Sequence, residues 1–131
     1  MDTPNDVIER YVGAAKAGDF DGAYAFFADD LRVRIPGRSA LAGEYVGRDV
    51  AIDYINRARA LSHGSEVELD LMATLSGGDR VALLVRERFH RPEGPVDIHR
   101  ANVYTVRDGR IVEIWIFEGD QYEVDGLFAA A

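Results

Sequence analysis

The sequence predicts an α+β fold in which helices pack against one face of an antiparallel sheet. Apolar residues recur at helical spacing in the first half of the chain, whereas in the second half polar and apolar residues alternate between short turns. Helices that come first and hairpin-linked strands that follow are typical of this class. Such a sheet can curl around its helices and leave a cleft.

Three helices are predicted in the N-terminal half. The first covers Asn5 to Ala17, where apolar side chains fall at three- and four-residue spacing, and Gly18 ends it as a C-terminal cap. Asp19 is a natural N-cap for a second helix, rich in aromatics, from Phe20 to Ala28. A third helix is expected from Asp49 to about Leu61, with its first residue as the cap.

The strands are predicted from alternation and from turn residues. A short strand over Leu31 to Ile35 stops at a Pro-Gly pair, and residues 38–48 are expected to form a loop. Four further strands then follow one another as an antiparallel meander: Glu66 to Leu75, Arg80 to Arg91, Val96 to Arg107 and Arg110 to Glu118. No repeat or linker interrupts this order, so we expect one domain over residues 1–131.

Composition narrows the range of functions. The chain has 131 residues, of which 47% are hydrophobic and 29% charged, which is ordinary for a globular protein. It contains no cysteine, and no two of its three histidines have ligand spacing on one element, so we expect no metal site. The net charge of -8 argues against binding to nucleic acid or a membrane. The acidic, polar N-terminus does not resemble a signal peptide, so we expect a cytoplasmic location.

Two stretches resemble known proteins. The N-terminal sequence is similar to that of bacterial ketosteroid isomerases. The similarity lies in three segments: Arg10-Tyr11-Val12-Gly13-Ala14, Ala17-Gly18-Asp19-Phe20-Asp21-Gly22 and Phe27-Ala28-Asp29-Asp30. The ending, residues 107–115 followed by Asp120-Gln121-Tyr122, is similar to SnoaL-like proteins. The resemblance implies an NTF2-like cone, in which three N-terminal helices pack on a curved, mixed, mainly antiparallel sheet that encloses an apolar pocket. It also implies a back-to-back homodimer.

Steroid isomerase activity itself is not expected. Tyr11 matches the catalytic tyrosine of that family, and Asn102 falls where the family has a protonated aspartate; both could donate to a carbonyl or enolate oxygen. However, the general base of the family falls at Ile35, which cannot move a proton, and its second tyrosine falls at Ile55.

Two other activities of the superfamily match only in part. Arg100 and Asn102 resemble the arginine and aspartate that epoxide hydrolases carry on one strand, but the second residue is an amide here. Glu118 is then the one acid of the right parity on the last strand. Asp120 lies near the catalytic aspartate of SnoaL-type cyclases.

Three polar residues are predicted on one apolar sheet face. If residues 92–95 form a four-residue hairpin loop, Glu87 lies opposite Arg100, on the face that also carries Asn102 and Tyr104. Polar groups that converge on an apolar concave surface indicate a ligand site. The alternative is an internal ion pair that only fixes the register.

The sequence leaves open whether the chain is an enzyme. The first hypothesis is cofactor-free acid-base catalysis, of isomerase, cyclase or lyase type, on a small, apolar, oxygenated substrate; the second is a binding domain without catalysis. The catalytic candidates are Tyr11, Asn102 and Asp120. The substrate-binding candidates are Arg100, Phe27, Ile35, Tyr54, Tyr104 and Glu118, although the aromatic residues among them could equally be core.

The last strand predicts a homodimer. If Ile114, Ile116 and Glu118 face inward, then Trp115 and Phe117 face outward together with Ile111 and Glu113. An exposed apolar patch of this kind is usually covered by a second copy. The prediction depends on the turn at Asp108-Gly109, because a two-residue turn in place of a three-residue bulged loop would reverse the parity and turn Trp115 toward the pocket.

Overall fold

The computed structural model describes residues 2–61 and 67–128. Within that part of the chain the helices are α1 (Pro4–Lys16), α2 (Phe20–Tyr24), α3 (Arg48–Leu61) and α4 (Gln121–Leu127). The strands are β1 (Phe27–Ile35), β2 (Gly43–Val46), β3 (Val67–Gly77), β4 (Arg80–Arg91), β5 (Gly94–Arg107) and β6 (Arg110–Glu118). Glu66, the predicted first residue of the strand that became β3, lies outside the described residues.

The six strands form one curved sheet in the order β2-β1-β6-β5-β4-β3. All neighbouring pairs are antiparallel except β1 and β6, which run parallel. The predicted α+β class and the mixed, mainly antiparallel sheet are therefore confirmed. The meander from β3 to β6 has the predicted order, and α1 and α3 contact the inner side of the sheet.

At three places the elements differ from the prediction by more than two residues. The second helix ends at Tyr24, because the chain already pairs with β6 from Phe27 onwards. The expected loop at residues 38–48 contains β2, whose register includes Val33 with Tyr45. A fourth, C-terminal helix, α4, was not predicted. Seven residues with a single buried side chain, Val124, give too weak a periodic pattern.

The hairpin between β4 and β5 is tighter than predicted. Arg91 pairs with Gly94, so the turn has two residues and not four. Glu87 consequently lies opposite Ile98, and Arg100 lies opposite Val85. A shift of two residues preserves the face of each side chain, so the predicted grouping on the inner face survives the change of register.

The hairpin between β5 and β6 contains a tight turn and a β-bulge. Each reverses which face of the sheet the following side chains occupy, so after both the faces are as predicted. Asp108 and Gly109 form a two-residue turn with φ of 52° and 75°, and Arg107 pairs with Arg110. Further along, Val106 pairs with Ile111 but Thr105 pairs with Glu113, so the ladder contains one extra residue. This bulge keeps Trp115 outside. It also turns Ile111 inward, where it is fully buried, contrary to the prediction for that residue.

The core lies between the helices and the inner face of the sheet. Its largest fully buried side chains are Phe27, Ile8, Leu31 and Ile111. A smaller cluster joins α4 to the far end of β4 and β5 through Leu41, Phe89, Ile98, Val124 and Phe128. Across residues 2–61 and 67–128, no helix is long and apolar enough to cross a membrane.

Candidate functional site

A cavity of about 320 Å³ lies between the inner face of the sheet and the helices α1 and α3. Its volume is at the lower end of the range for small-molecule sites. Most of the wall is aliphatic or aromatic and includes Val33, Ile35, Tyr54, Ile55, Phe89, Ile114, Ile116 and Phe128. The predicted pocket therefore exists, and its wall is largely apolar.

The polar side chains of the cavity come from three elements. Arg100, Asn102 and Tyr104 stand at alternate positions of β5 and so share its inner face. Glu87 reaches the cavity from the neighbouring strand β4, and Tyr11 from the middle of α1. The start of α1 is fixed by a capping box between Thr3 and Asp6.

Arg100 lies between two carboxylates. Its Nη2 donates to Oε2 of Glu118 at 2.7 Å, and its Nη1 lies 3.5 Å from Oε2 of Glu87. The exposed fractions of the three side chains are 15% for Arg100, 18% for Glu87 and 3% for Glu118. Glu87 is thus the carboxylate on the cavity wall, while Glu118 holds the arginine from behind.

This cluster carries two potential negative charges and one positive charge in a poorly hydrated place. Burial alone lowers the pKa of Arg100, but the carboxylates of Glu87 and Glu118 outweigh that effect and the pKa lies above its ordinary value. Burial raises the pKa of Glu118, although Arg100 opposes this rise. The arginine is therefore firmly charged, and its charge is already matched by protein groups.

Two buried polar side-chain atoms of β5 lack a partner within residues 2–61 and 67–128. Oδ1 of Asn102 and Nε of Arg100 have no hydrogen-bond partner among the described residues. Burial raises the pKa of Tyr104, and the neighbouring side chain of Asn102 partly offsets that rise. Buried polar atoms without partners are costly and are frequently the atoms that a ligand contacts.

Three tyrosines of the cavity keep their protons. Burial raises the pKa of Tyr11 well above its usual value and raises those of Tyr54 and Tyr104 to about 12. Tyr11 packs on Phe27 and Tyr104, with ring centroids 5.6 Å and 5.7 Å away. Its hydroxyl is a neutral group in a fixed position on the cavity wall and can donate a hydrogen bond there.

Most of the residues predicted for the site do lie together. Tyr11, Asn102 and Arg100 line the cavity, and so do the substrate-binding candidates Ile35, Tyr54 and Tyr104. Glu118 lies directly behind Arg100, next to the cavity and not on its main wall.

Two predicted site residues lie elsewhere. Asp120 is exposed and caps α4, where its side chain accepts from the backbone N of Glu123 at 3.1 Å. Phe27 is 2% exposed and belongs to the core, where it supports the ring of Tyr11 without lining the cavity. Asp120 has a structural use at a helix start, and Phe27 acts on the site only through its neighbour.

The C-terminal helix supplies part of the wall that the sequence did not indicate. Phe128 lines the cavity and meets Phe89 edge-on, with ring centroids 5.7 Å apart. Oδ1 of Asp125 fastens this segment, since it accepts from the backbone N atoms of Arg38 and Ser39 at 2.9 Å and 3.1 Å. The approach is so close that a Cβ on Gly37 would lie 2.4 Å from the same oxygen.

The fold and the cavity agree with the family to which the chain is related. A family model described as the SnoaL-like domain matches residues 8–114. The match spans most of the chain, and the protein belongs to the SnoaL-like domain family. The predicted relationship to NTF2-like, SnoaL-like proteins is thereby confirmed.

Individual proteins match nearly the whole chain, one in sequence and two in structure. The uncharacterized protein Rv0034 of Mycobacterium tuberculosis is 29% identical, with 98% of each chain covered. An NTF2-like protein of unknown function from Burkholderia pseudomallei superposes with a TM-score of 0.80 at 22% identity, covering 99% of this chain and 100% of the other. TerC, co-crystallized with polyporic acid, has a TM-score of 0.80 at 17% identity, covering 96% and 98%.

Proposed function

We propose that this small-molecule pocket protein is an enzyme that performs cofactor-free acid-base chemistry on a small, largely apolar, oxygenated substrate. One observation supports the proposal above the others. A carboxylate, a neutral tyrosine hydroxyl and an amide, those of Glu87, Tyr11 and Asn102, line the same apolar cavity. That is the combination needed to remove a proton from carbon next to a carbonyl group.

Each polar group has a part in this proposal. The hydroxyl of Tyr11 and an amide N–H of Asn102 donate to the carbonyl oxygen of the substrate, which leaves Oδ1 of Asn102 free to accept from a hydroxyl group. Glu87 takes the proton from the adjacent carbon, and the electron pair of the broken C–H bond moves toward the held oxygen to give an enolate. Returning the proton to another carbon isomerises the substrate, attack of the enolate carbon on a second carbonyl cyclises it, and loss of a leaving group eliminates it.

Glu87 takes the place of Asp120 in this scheme. The sequence indicated Asp120 as a catalytic candidate, but Asp120 caps a helix, and the nearby acid Glu118 is turned toward Arg100. Arg100 is a positioning residue, because it contacts Glu87 and so orients the carboxylate that faces the cavity. The same pairing argues for a neutral substrate group, since the positive charge is already matched twice.

The proposal can be tested before the natural substrate is known. β-Tetralone is an apolar bicyclic ketone whose α-protons exchange with deuterium in D2O by the same proton abstraction. We expect the protein to accelerate this exchange above the buffer rate, as followed by proton NMR. The Glu87→Gln variant should lose roughly a hundredfold of that acceleration, as is typical when a general base is removed.

A matched control separates chemistry from charge. Glu93 is exposed in the turn between β4 and β5, so Glu93→Gln removes an equal charge far from the cavity and should leave the exchange rate unchanged. Tyr11→Phe should slow the exchange without preventing binding of the ketone, because it removes one donor to the oxygen. Full acceleration by a folded Glu87→Gln protein would exclude Glu87 as the base.

A second candidate function is ligand binding without catalysis. It is favoured by Ile35, which occupies the position at which the resembling isomerases have their base. If this alternative holds, β-tetralone binds in the cavity, but its α-protons exchange no faster than in buffer. Polyporic acid, the ligand crystallized with TerC, is a second molecule to test for binding. Titration calorimetry and the exchange measurement together distinguish the two functions.

We also propose that two copies associate through the outer face of the sheet. Trp115 and Phe117 lie side by side there, with ring centroids 4.9 Å apart, and Phe117 is 45% exposed. Met72 from β3 continues this apolar surface and is 61% exposed. A second copy that presents the same surface would remove these side chains from water.

A further inference from the structure

The inner face of the sheet borders a second cavity, of about 360 Å³, on the other side of Tyr11. It lies between α1 and the strands β3 and β4. Its floor consists of Leu83 and Val85, which are 5% and 2% exposed, and its outer wall consists of Leu69 and Leu71, which are 46% and 42% exposed. The volume is again within the range of small-molecule sites.

The two cavities meet at the polar residues of the proposed active site. Tyr11, Glu87, Asn102 and Tyr104 line both of them. Glu87 and Asn102 belong to the floor of the sheet, which continues from one cavity to the other, whereas Tyr11 descends from α1 and leans on Tyr104. The polar groups therefore lie in the middle of one long groove, whose wall is otherwise apolar except for Arg100 in the first cavity and Lys16 in the second.

We propose that the ligand of this site is an elongated molecule with its oxygenated group in the middle and an apolar arm on each side. One arm occupies the cavity beside α3, and the other occupies the cavity beside β3. The inference rests on the proposed function only in placing the oxygenated group at Tyr11, Glu87 and Asn102. The inference goes beyond the proposed function because it specifies the shape of the substrate. A molecule with its polar group at one end would fill only half of the groove.

Two further features support an arm in the second cavity. Leu69 and Leu71 belong to β3, an edge strand of the sheet, and a buried arm would cover side chains that otherwise face water. In addition, Oδ1 of Asn102 lacks a partner in the described part of the chain, at the point where the two cavities meet. A hydroxyl or enol at the centre of the ligand would donate to this oxygen.

Two isomeric ketones of equal composition test the inference. Dibenzyl ketone carries one phenyl arm on each side of its carbonyl, whereas (biphenylyl)acetone carries both rings on one side. Dissociation constants measured by titration calorimetry should favour dibenzyl ketone by about tenfold or more, because a second buried ring contributes at least the energy of one large apolar side chain. Equal affinities, or binding of neither ketone, would overturn the inference.

Substitutions that narrow one cavity sharpen the test. Ala15 lines the second cavity and not the first, so Ala15→Leu should remove the preference for dibenzyl ketone and leave the affinity for the isomer unchanged. Leu69→Trp narrows the same cavity from the exposed edge strand and should have the same effect on the two affinities. Ala58→Leu narrows the first cavity and should weaken the binding of both ketones. Ala17→Leu is an exposed substitution near the same end of α1 and should change neither affinity.

The outcomes also distinguish this inference from the proposed function. If the wild-type protein accelerates the α-exchange of β-tetralone but binds the two isomers equally, the acid-base function stands and the two-armed ligand is wrong. If dibenzyl ketone is preferred and Ala15→Leu removes the preference, but no ketone exchanges its α-protons, the ligand class stands and catalysis is wrong. A preference that survives both Ala15→Leu and Leu69→Trp would exclude the second cavity as the site of the arm.

Discussion

Two arginines on neighbouring strands make ion pairs on opposite faces of the sheet. Arg86 of β4 points outward to Asp70, and the exposed fractions of the two side chains are 36% and 57%. Arg100 of β5 points inward, is 15% exposed and lies between Glu87 and Glu118. The outer pair is solvated on both sides, whereas the inner cluster is largely cut off from water and still leaves polar atoms without partners among the described residues.

The difference shows that the fold accepts the desolvation of charged groups on its inner face. An exposed pair contributes little to stability and is easily replaced, but buried charges require desolvation that their mutual attraction only partly returns. Apolar side chains could occupy these positions of the inner face, as they do in most of the cavity wall. A charged cluster beside a cavity is therefore more readily explained by binding or catalysis than by stability.

The largest effect is expected from breaking the inner cluster. Arg100→Met removes the shared cation and leaves Glu87 and Glu118 with no opposite charge, so the free energy of unfolding should fall by about 3 kcal/mol or more. The matched change Arg86→Met on the outer face should cost less than about 1 kcal/mol. Urea denaturation of both variants measures the contrast, and equal losses would show that the two faces do not differ in this respect.

The second prediction concerns the apolar part of the outer face. Trp115→Glu places a carboxylate at a symmetric contact of the proposed dimer, where it is desolvated twice, so we expect a folded monomer by sedimentation at micromolar concentration. Tyr122→Glu is the matched control, because Tyr122 is 92% exposed on α4, and this variant should sediment as the wild-type protein does. A monomeric wild-type protein would refute the dimer.

The smallest effect is a difference in pH dependence. Burial raises the pKa of Glu118 above its ordinary 4.5, so the folded protein holds the proton more tightly than the unfolded chain. The unfolding free energy of the wild-type protein, measured relative to that of Glu118→Gln, should therefore decline as the pH rises from 4.5 through the raised pKa, and then level off. A relative stability that increases over this interval would mean that the pKa is lowered.

The alternation of polar and apolar residues is enough to identify the inner face of the sheet. Parity alone places Glu87, Arg100, Asn102 and Tyr104 together, and an error of two residues in the hairpin leaves that parity intact. The bulge at the start of β6 cannot be predicted in this way, because an extra residue in a ladder leaves no pattern in the sequence. It changes the face of Ile111 while leaving Trp115 outside.

The errors at the C-terminal end have a different cause. Asp120 followed by Glu123 three positions later is the pattern of a helix start, but the resemblance to SnoaL-type cyclases suggested a catalytic role. The capping pattern fits the structural role of Asp120, but the seven residues after it are too few to show the periodicity of a helix. No local pattern indicates that Phe128 lines a cavity, because that depends on how α4 packs against β4.

The attachment of α4 has a consequence for how fast the site can exchange its contents. The side chains of Asp125 and Gln121 hold this seven-residue helix to the loop after β1, and the backbone N of Ala40 donates to the carbonyl oxygen of Phe128. Arg91 adds one bond to the carbonyl oxygen of Leu127. Short helices fray more readily than sheets, and local opening of such a segment requires far less energy than global unfolding. Because Phe128 forms part of the cavity wall, the lifetime of a bound molecule can be governed by this helix and can be adjusted there without altering the residues that touch the oxygenated group.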